Sequence, residues 1–188
     1  MTADELEFEI AEQQEAMDKA IEHLNNELAK ISTGKASPAM VSGILVDYYG
    51  APSPLNQVAN ISTSDARTIV IQPWEKTLLS DIERAIFQAN LGVTPMNDGE
   101  VVRISIPPLT EERRKTLAKQ ARALGEDSKV GLRSARHKAM DAVKAAVKDG
   151  YPEDAGKRRE DEIQKMTNRF GGKVDQIVEA KEKDIMTV

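Results

Sequence analysis

Three observations in the 188-residue sequence predict an α+β protein, a long antiparallel three-helix bundle carrying a small inserted β-rich α/β domain. Apolar residues recur at three- and four-residue spacing toward both ends of the chain, whereas the middle alternates and is cut by Gly and Pro. Aromatic residues make up only 4% against 40% hydrophobic, so the core must be built from Ala, Leu, Ile and Val, as where helices pack on helices. Charged residues make up 30%, which suits long solvated helix faces.

The elements follow in order. From about Thr2 to Ser32, Ile10, Met17, Leu24 and Ile31 lie seven apart, and Gln14, Ile21 and Leu28 fill the positions four further on. This is an a/d seam broken only at Gln14. Gly34 is placed to cap the helix, and Pro38 discourages continuation. Gly43 to Tyr49 is rich in β-formers, Gly50 to Pro54 reads as a loop, Leu55 to Ile61 as a second strand and Arg67 to Ile71 as a third. Glu75 to Asn90 returns to helical spacing, Asn97-Asp98-Gly99 marks a turn, and Val101 to Ile106 is a last strand. Pro107-Pro108 stops it. Thr110 suits an N-cap, with Glu111 and Glu112 at the positive end of a helix that runs to about Asp149. Gly150-Tyr-Pro152 breaks that helix, and a last one covers about Glu153 to Ile185. No single helix of this kind buries its stripe alone, so the three should pack together. The expected division is a discontinuous bundle domain, 1–30 with 107–188, and an inserted domain, 31–106. Two short crossings predict a hinge at Ile31, Ser32 and Thr33 and at Ser105, Ile106, Pro107 and Pro108.

Composition narrows the function. With no cysteine, disulfides and Cys-based zinc sites are excluded. No apolar run approaches the ~20 residues that span a bilayer, and Met1 to Glu15 is acidic, unlike a secretion signal. A cytosolic protein without a membrane partner is expected. Ser32-Thr-Gly-Lys35 resembles a phosphate loop, but Ala29 and Ala36 stand where that loop needs Gly and Ser or Thr. His23 reads as a surface imidazole, His137 has no carboxylate partner in the sequence, and Trp74 reads as a packing residue. No nucleophile–base signature appears. We therefore expect no catalytic residue, metal, cofactor or small-molecule substrate.

The net charge of -5 hides an asymmetry. Residues 110–148 hold 11 Lys+Arg against 5 Asp+Glu, so +6, while residues 1–30 hold 2 against 9, so -7. On a wheel at ~100° per residue, Lys115, Lys119, Arg122, Lys129, Arg133, Arg136, Lys144 and Lys148 share one arc, with Glu126 the acid inside it. Leu117, Ala121, Leu124, Leu132, Ala135, Ala139, Val143 and Ala146 lie largely opposite. Such runs are usually solvated faces paired with neighbouring acids. Here, eight bases on one arc point instead to a localised polyanion, since arginine forks match phosphate oxygens in pairs. Several helical turns suit a phosphate backbone better than a small ligand. No aromatic residue in the segment supplies stacking, so shape and phosphate recognition of folded RNA is expected, weakening steeply with salt.

Thr33-Gly-Lys-Ala-Ser-Pro38, Asp47-Tyr-Tyr-Gly50, Pro54-Leu-Asn-Gln57, Leu91-Gly-Val, Asn97-Asp-Gly-Glu100 and Pro107-Pro-Leu-Thr-Glu-Glu-Arg-Arg-Lys115 resemble, in this order, the bacterial ribosome recycling factor family. So do Lys129-Val-Gly-Leu-Arg-Ser-Ala-Arg-His137 and Asp161-Glu-Ile-Gln-Lys-Met-Thr167. The resemblance covers nearly the whole chain. It implies an L-shaped, hinged, non-enzymatic factor that acts as a monomer. It also implies binding to the large ribosomal subunit where transfer RNAs would sit, and separation of the subunits together with elongation factor G and GTP. The family's key RNA contact is an arginine in a V-R-N-x-R-R motif; it falls here on Arg133, and the motif's next arginine on Arg136. Ser134 replaces the motif's asparagine, His137 its final arginine, and Lys35 the arginine of an early Gly-Arg. The RNA-binding set expected is Arg133, Arg136, Lys129, Arg122, Lys119 and Lys115. The competing reading is a coiled-coil adaptor or chaperone, which would bind protein with little salt dependence and no RNA.

Overall fold

The computed structural model describes residues 1–187. They form two compact units: Met1–Ser32 with the chain from Glu111 onward, and Thr33–Thr110.

The first unit is three long helices. Helix α1 spans Ala3–Ala29 and begins with a reciprocal cap. The Glu5 amide donates to Thr2 Oγ1 at 3.1 Å, and the Thr2 amide donates to Glu5 Oε2 at 2.7 Å. A 38-residue helix, Glu111–Lys148, and a 34-residue helix, Glu153–Met186, follow the inserted unit; they are called α4 and α5 below, after the shorter elements of the insert. Gly150, at φ 106, takes the backbone conformation that lets the chain reverse between them. Arg122 meets Glu182, Lys129 meets Asp175 and Arg136 meets Gln164, so α5 runs antiparallel to α4. Ser128 Oγ reaches the Ala20 carbonyl while Arg159 pairs with Glu7, so α1 is antiparallel to α4 and parallel to α5.

The core of this unit joins Leu6, Met17, Leu24 and Leu28 to Leu132, Ala139 and Val143 and to Ile163, Phe170 and Val174, all buried. The α1 seam departs from the heptad reading in one respect: Gln13 is buried and Gln14 is exposed. A straight helix advances 3.6 residues per turn rather than 3.5, so the buried stripe drifts by about 20° per heptad and takes in the preceding position.

Of the five glycines in α4 and α5, Gly131 would place a Cβ in ordinary contact with Ala20, and the other four divide into two kinds. A Cβ at Gly125 would lie 2.6 Å from Val178 Cγ2, and one at Gly156 2.6 Å from Val147 Cγ2. Their absence of a side chain is what lets α4 and α5 approach. A Cβ at Gly171 or Gly172 would meet nothing within 4 Å, although glycine costs a helix interior about 1 kcal/mol relative to Ala.

In the inserted unit, β1 (Leu45–Tyr48) pairs with β2 (Ala51–Pro54). A single helical turn, α2 (Leu55–Val58), leads to β3 (Ala59–Asp65) and β4 (Thr68–Pro73). Helix α3 (Leu79–Gln88) precedes β5 (Pro95–Asn97) and β6 (Val102–Ser105). The four-stranded sheet is antiparallel in the order β3-β4-β6-β5. Ile69, Ile71, Val102, Ile104 and Ile106 alternate onto one face and bury against Leu79, Ile82 and Ile86 of α3, as the spacing predicted.

The shorter elements differ from expectation. Gly50–Pro54 is not all loop, because β2 sits at an edge, where Pro52 and Pro54 can pair in register without donating to a further strand. Leu55 to Val58 turns helically instead of extending, with the Leu55 amide donating to the Ile44 carbonyl at 2.8 Å. Residues 76–78 form a 3₁₀ turn before α3, and the three-residue β5 was not foreseen. Trp74 is 67% exposed rather than packed. The adjoining Glu75 accepts hydrogen bonds from the Tyr48 and Tyr49 hydroxyls at 3.2 and 2.8 Å. Gly34 does not cap α1, which ends at Ala29 with Lys30 still right-handed. At φ 73 it lies against Leu109, whose Cγ a Cβ there would meet at 3.0 Å.

Candidate nucleic-acid interface

Four of the eight cations of the arc expected on α4, Arg122, Lys129, Arg133 and Arg136, line one wall of the groove between α4 and α5. Its cations divide according to what α5 places opposite. Near the start of α4, Arg122 Nε lies 3.6 Å from Glu182 Oε1, and Lys129 Nζ lies 2.6 Å from Asp175 Oδ1. Arg122, Gly125 and Lys129 line a groove of about 280 Å³ whose far wall carries Asp175, Glu179 and Glu182. The hydrogen bond to Asp175 holds the Lys129 ammonium above the ordinary lysine range, against desolvation and the repulsion of Arg133. Lys115 pairs within α4, 3.6 Å from Glu111, a second acid on the same arc.

Toward the middle of α4 the groove widens to about 510 Å³. Arg133 is exposed and, among the described residues, makes no ion pair or hydrogen bond. Arg136 is half-buried; its Nη1 donates to Gln164 Oε1 at 2.9 Å, and its buried Nε has no partner among the described residues. Gln164 Nε2 in turn donates to Asn168 Oδ1 at 2.9 Å. The rest of this wall is Thr167, Gly171 and Gly172, with no carboxylate until Asp175. The groove is therefore cationic on one side and, apart from Asp175 at its end, uncharged and polar on the other. A sugar–phosphate backbone fits that chemistry, because guanidinium donors face an open volume and, among the described residues, no carboxylate pairs with them.

The structure thus brings Lys129, Arg133 and Arg136 to one groove and sets Arg122 in the adjoining, acid-lined one. Lys115 and Lys119 line neither, and Lys119 makes no ion pair among the described residues. His137 does have a carboxylate partner: Asp141, one turn on, lies 3.3 Å away. Reading α4 alone missed Gln164, Asn168, Gly171 and Gly172. The signal was present, because residues equidistant from the Gly150 reversal face one another once α4 and α5 are antiparallel. Among the described residues no cluster of three or more His, Cys, Asp or Glu could hold a metal ion, and no helix is long and apolar enough to cross a membrane.

The family model for ribosome recycling factor matches residues 24–186, which includes all of α4 and α5. The chain belongs to the ribosome recycling factor family. It is 53% identical over 185 residues to the ribosome-recycling factor of Christiangramia forsetii, covering 98% of this chain and 100% of that one. It is 52% identical over 173 residues to the ribosome-recycling factor of Porphyromonas gingivalis, covering 92% and 93%. A solution structure of a ribosome recycling factor superposes with a TM-score of 0.83 at 37% identity, covering both chains fully. A second match, from models of the T. thermophilus ribosome recycling factor and E. coli elongation factor G bound to the E. coli post-termination complex, has a TM-score of 0.65 at 44% identity, again with full coverage of both chains. Ribosome recycling is the function that family membership assigns to this fold.

Proposed function

We propose that this family member binds ribosomal RNA of the large subunit through the α4 face centred on Arg133 and Arg136. With elongation factor G, and GTP hydrolysed by that factor, it then dissociates the post-termination ribosome. The observation that carries the reading is the unneutralised Arg133 at an open groove. An arginine that forms no ion pair at home, on a face where its neighbour Lys129 does, is available for an external anion. The related factor described in a post-termination complex with elongation factor G supports the choice of partners.

Subunit splitting tests it. Post-termination ribosomes mixed with this protein, elongation factor G and GTP should lose light scattering only when all three are present. Arg133→Ala should weaken binding to isolated large subunits by about 10–150-fold, the worth of a charge-assisted hydrogen bond at ~1.5–3 kcal/mol. Unchanged binding would remove Arg133 from the interface, and salt-insensitive binding would favour the protein-adaptor reading.

We further propose that the crossings at Ile31–Thr33 and Ser105–Pro108 act as the hinge. Each unit buries its own core. Ser105 pairs with Thr68, and the Ile106 amide donates to the Arg67 carbonyl at 2.7 Å, so the second crossing should flex mainly at Pro107-Pro108. Small-angle scattering that needs more than one conformer supports this; a fit to one rigid shape overturns it.

A further inference from the structure

We propose that the RNA seat has a second wall on α5, in which Gln164 and Asn168 are positioning residues for Arg136 and Gly171-Gly172 keep the floor clear for a backbone segment. The inference rests on the RNA-binding reading above and assigns it residues on a different helix.

Two independent features carry it. The first is a hydrogen-bonded relay. Asn168 Oδ1 accepts from Gln164 Nε2, and Gln164 Oε1 accepts from Arg136 Nη1, both at 2.9 Å. Gln164 spends its acceptor on one guanidinium nitrogen, which fixes the plane of the fork. It adds no negative charge, so unlike Asp175 opposite Lys129 it orients a cation without neutralising it. An arginine whose rotamers are already restricted loses less entropy on gripping a phosphate.

The second is the glycine pair. Gly125 and Gly156 are accounted for by the α4–α5 contact, because a Cβ at either would strike a valine at 2.6 Å. Gly171 and Gly172 are not, since nothing lies within 4 Å of a Cβ built at either position. Two adjacent helix-interior glycines lower helix stability with no return inside the chain. Both line the groove of about 510 Å³ that Arg133 and Arg136 enter. A side chain there would fill the volume in front of the two guanidiniums. The ligand is a sugar–phosphate backbone, whose phosphates meet the arginines while its ribose edge lies over the bare helix. Asn168 and Thr167 supply the polar rim.

The test uses the full chain and purified large ribosomal subunits. Gly172→Leu should melt at or above the parent temperature yet bind at least tenfold more weakly. The double variant Gly171→Ala/Gly172→Ala should be more stable and lose affinity by a smaller factor, which separates blocked space from damaged folding. Gln164→Ala should cost about fivefold in the parent and nothing further in an Arg136→Ala background, since a positioning residue acts through its partner. Parent-like binding by Gly172→Leu, with Arg133→Ala impaired, would overturn the second wall and leave the α4 interface standing. Equal losses from Gln164→Ala in both backgrounds would overturn the positioning role. Parent-like binding by Arg133→Ala as well would overturn both readings together.

Discussion

The two halves of the α4–α5 groove carry similar cations on α4 and differ in what α5 sets against them. In one half Arg122 and Lys129 face Glu182 and Asp175; in the other Arg133 and Arg136 face a glutamine, an asparagine, a threonine and two glycines, with the Lys129–Asp175 pair at the boundary between the two. The first half holds two helices together with ion pairs that each join an exposed to a half-buried side chain, worth ~0–1 kcal/mol apiece so near the surface. The second leaves its charge for something outside the chain. A basic stripe is therefore not a uniform property of a helix. Its meaning at each turn depends on the residue across the groove, and only the unmatched turns are free to bind.

The largest effect should separate the halves directly. Arg133→Ala is expected to lower large-subunit affinity by about 10–150-fold, whereas Arg122→Ala, which removes a cation already paired with Glu182, should stay within about threefold of the parent, consistent with a surface pair of ~0–1 kcal/mol. The salt dependence should follow the same order. The slope of log affinity against log salt should fall by about one for Arg133→Ala and by less for Arg122→Ala. Equal losses at both positions would show that the whole stripe engages RNA and that the Glu182 pair opens on binding.

The glycines sharpen the same contrast in stability. Gly125→Ala forces a methyl to within 2.6 Å of Val178 Cγ2, on a stiff β-branched side chain. Overpacking of ~1–3 kcal/mol should outweigh the ~1 kcal/mol gain in helix propensity, for a net loss of about 1 kcal/mol in urea unfolding. Gly171→Ala has no such contact and should gain up to ~1 kcal/mol. A gain at Gly125 would mean that the helices separate at little cost.

These contrasts also show what one sequence could disclose. The bundle was legible because long helices repeat their signal many times: Leu132, Ala135, Ala139, Val143 and Ala146 mark the buried face of α4 whichever partner covers it. The arginines were legible for the same reason, and the resemblance singled out Arg133 among them. The pairings were not, because Lys129 and Arg133 look alike until Asp175 is placed beside one of them. Short elements were least legible. β2 and α2 are four residues each, too few for a period to show, and β2 contains two prolines that read as a loop until an edge position admits them. Trp74 was misread on composition, since a large aromatic side chain next to a strand end is usually covered.

A smaller effect probes the paired half from the acid side. Asp175→Asn removes the carboxylate nearest the open groove and releases Lys129. Affinity for large subunits should rise by about threefold at low salt, and the gain should fade at high salt, because exposed charges separated by more than ~10 Å are screened at 0.1 M. A loss of affinity would mean that Asp175 organises the groove rather than competing with RNA for Lys129.

The smallest effect is the pH dependence of that same pair. Its hydrogen bond to Asp175 raises the Lys129 ammonium above the ordinary lysine range. A raised lysine in the folded state contributes stability that is fully present below the unfolded value, about 10.4, and is lost as pH rises through the higher folded value. The difference in urea midpoint between parent and Asp175→Asn should accordingly hold steady from about pH 7 to 9 and shrink above about 10.5. Repeated with Arg133→Ala, the measurement should place the loss slightly higher in pH, because Arg133 repels the Lys129 charge and its removal lets that proton stay longer. No upward movement would mean that the two cations do not sense each other across one helical turn, and the two halves of the groove would then be electrically independent.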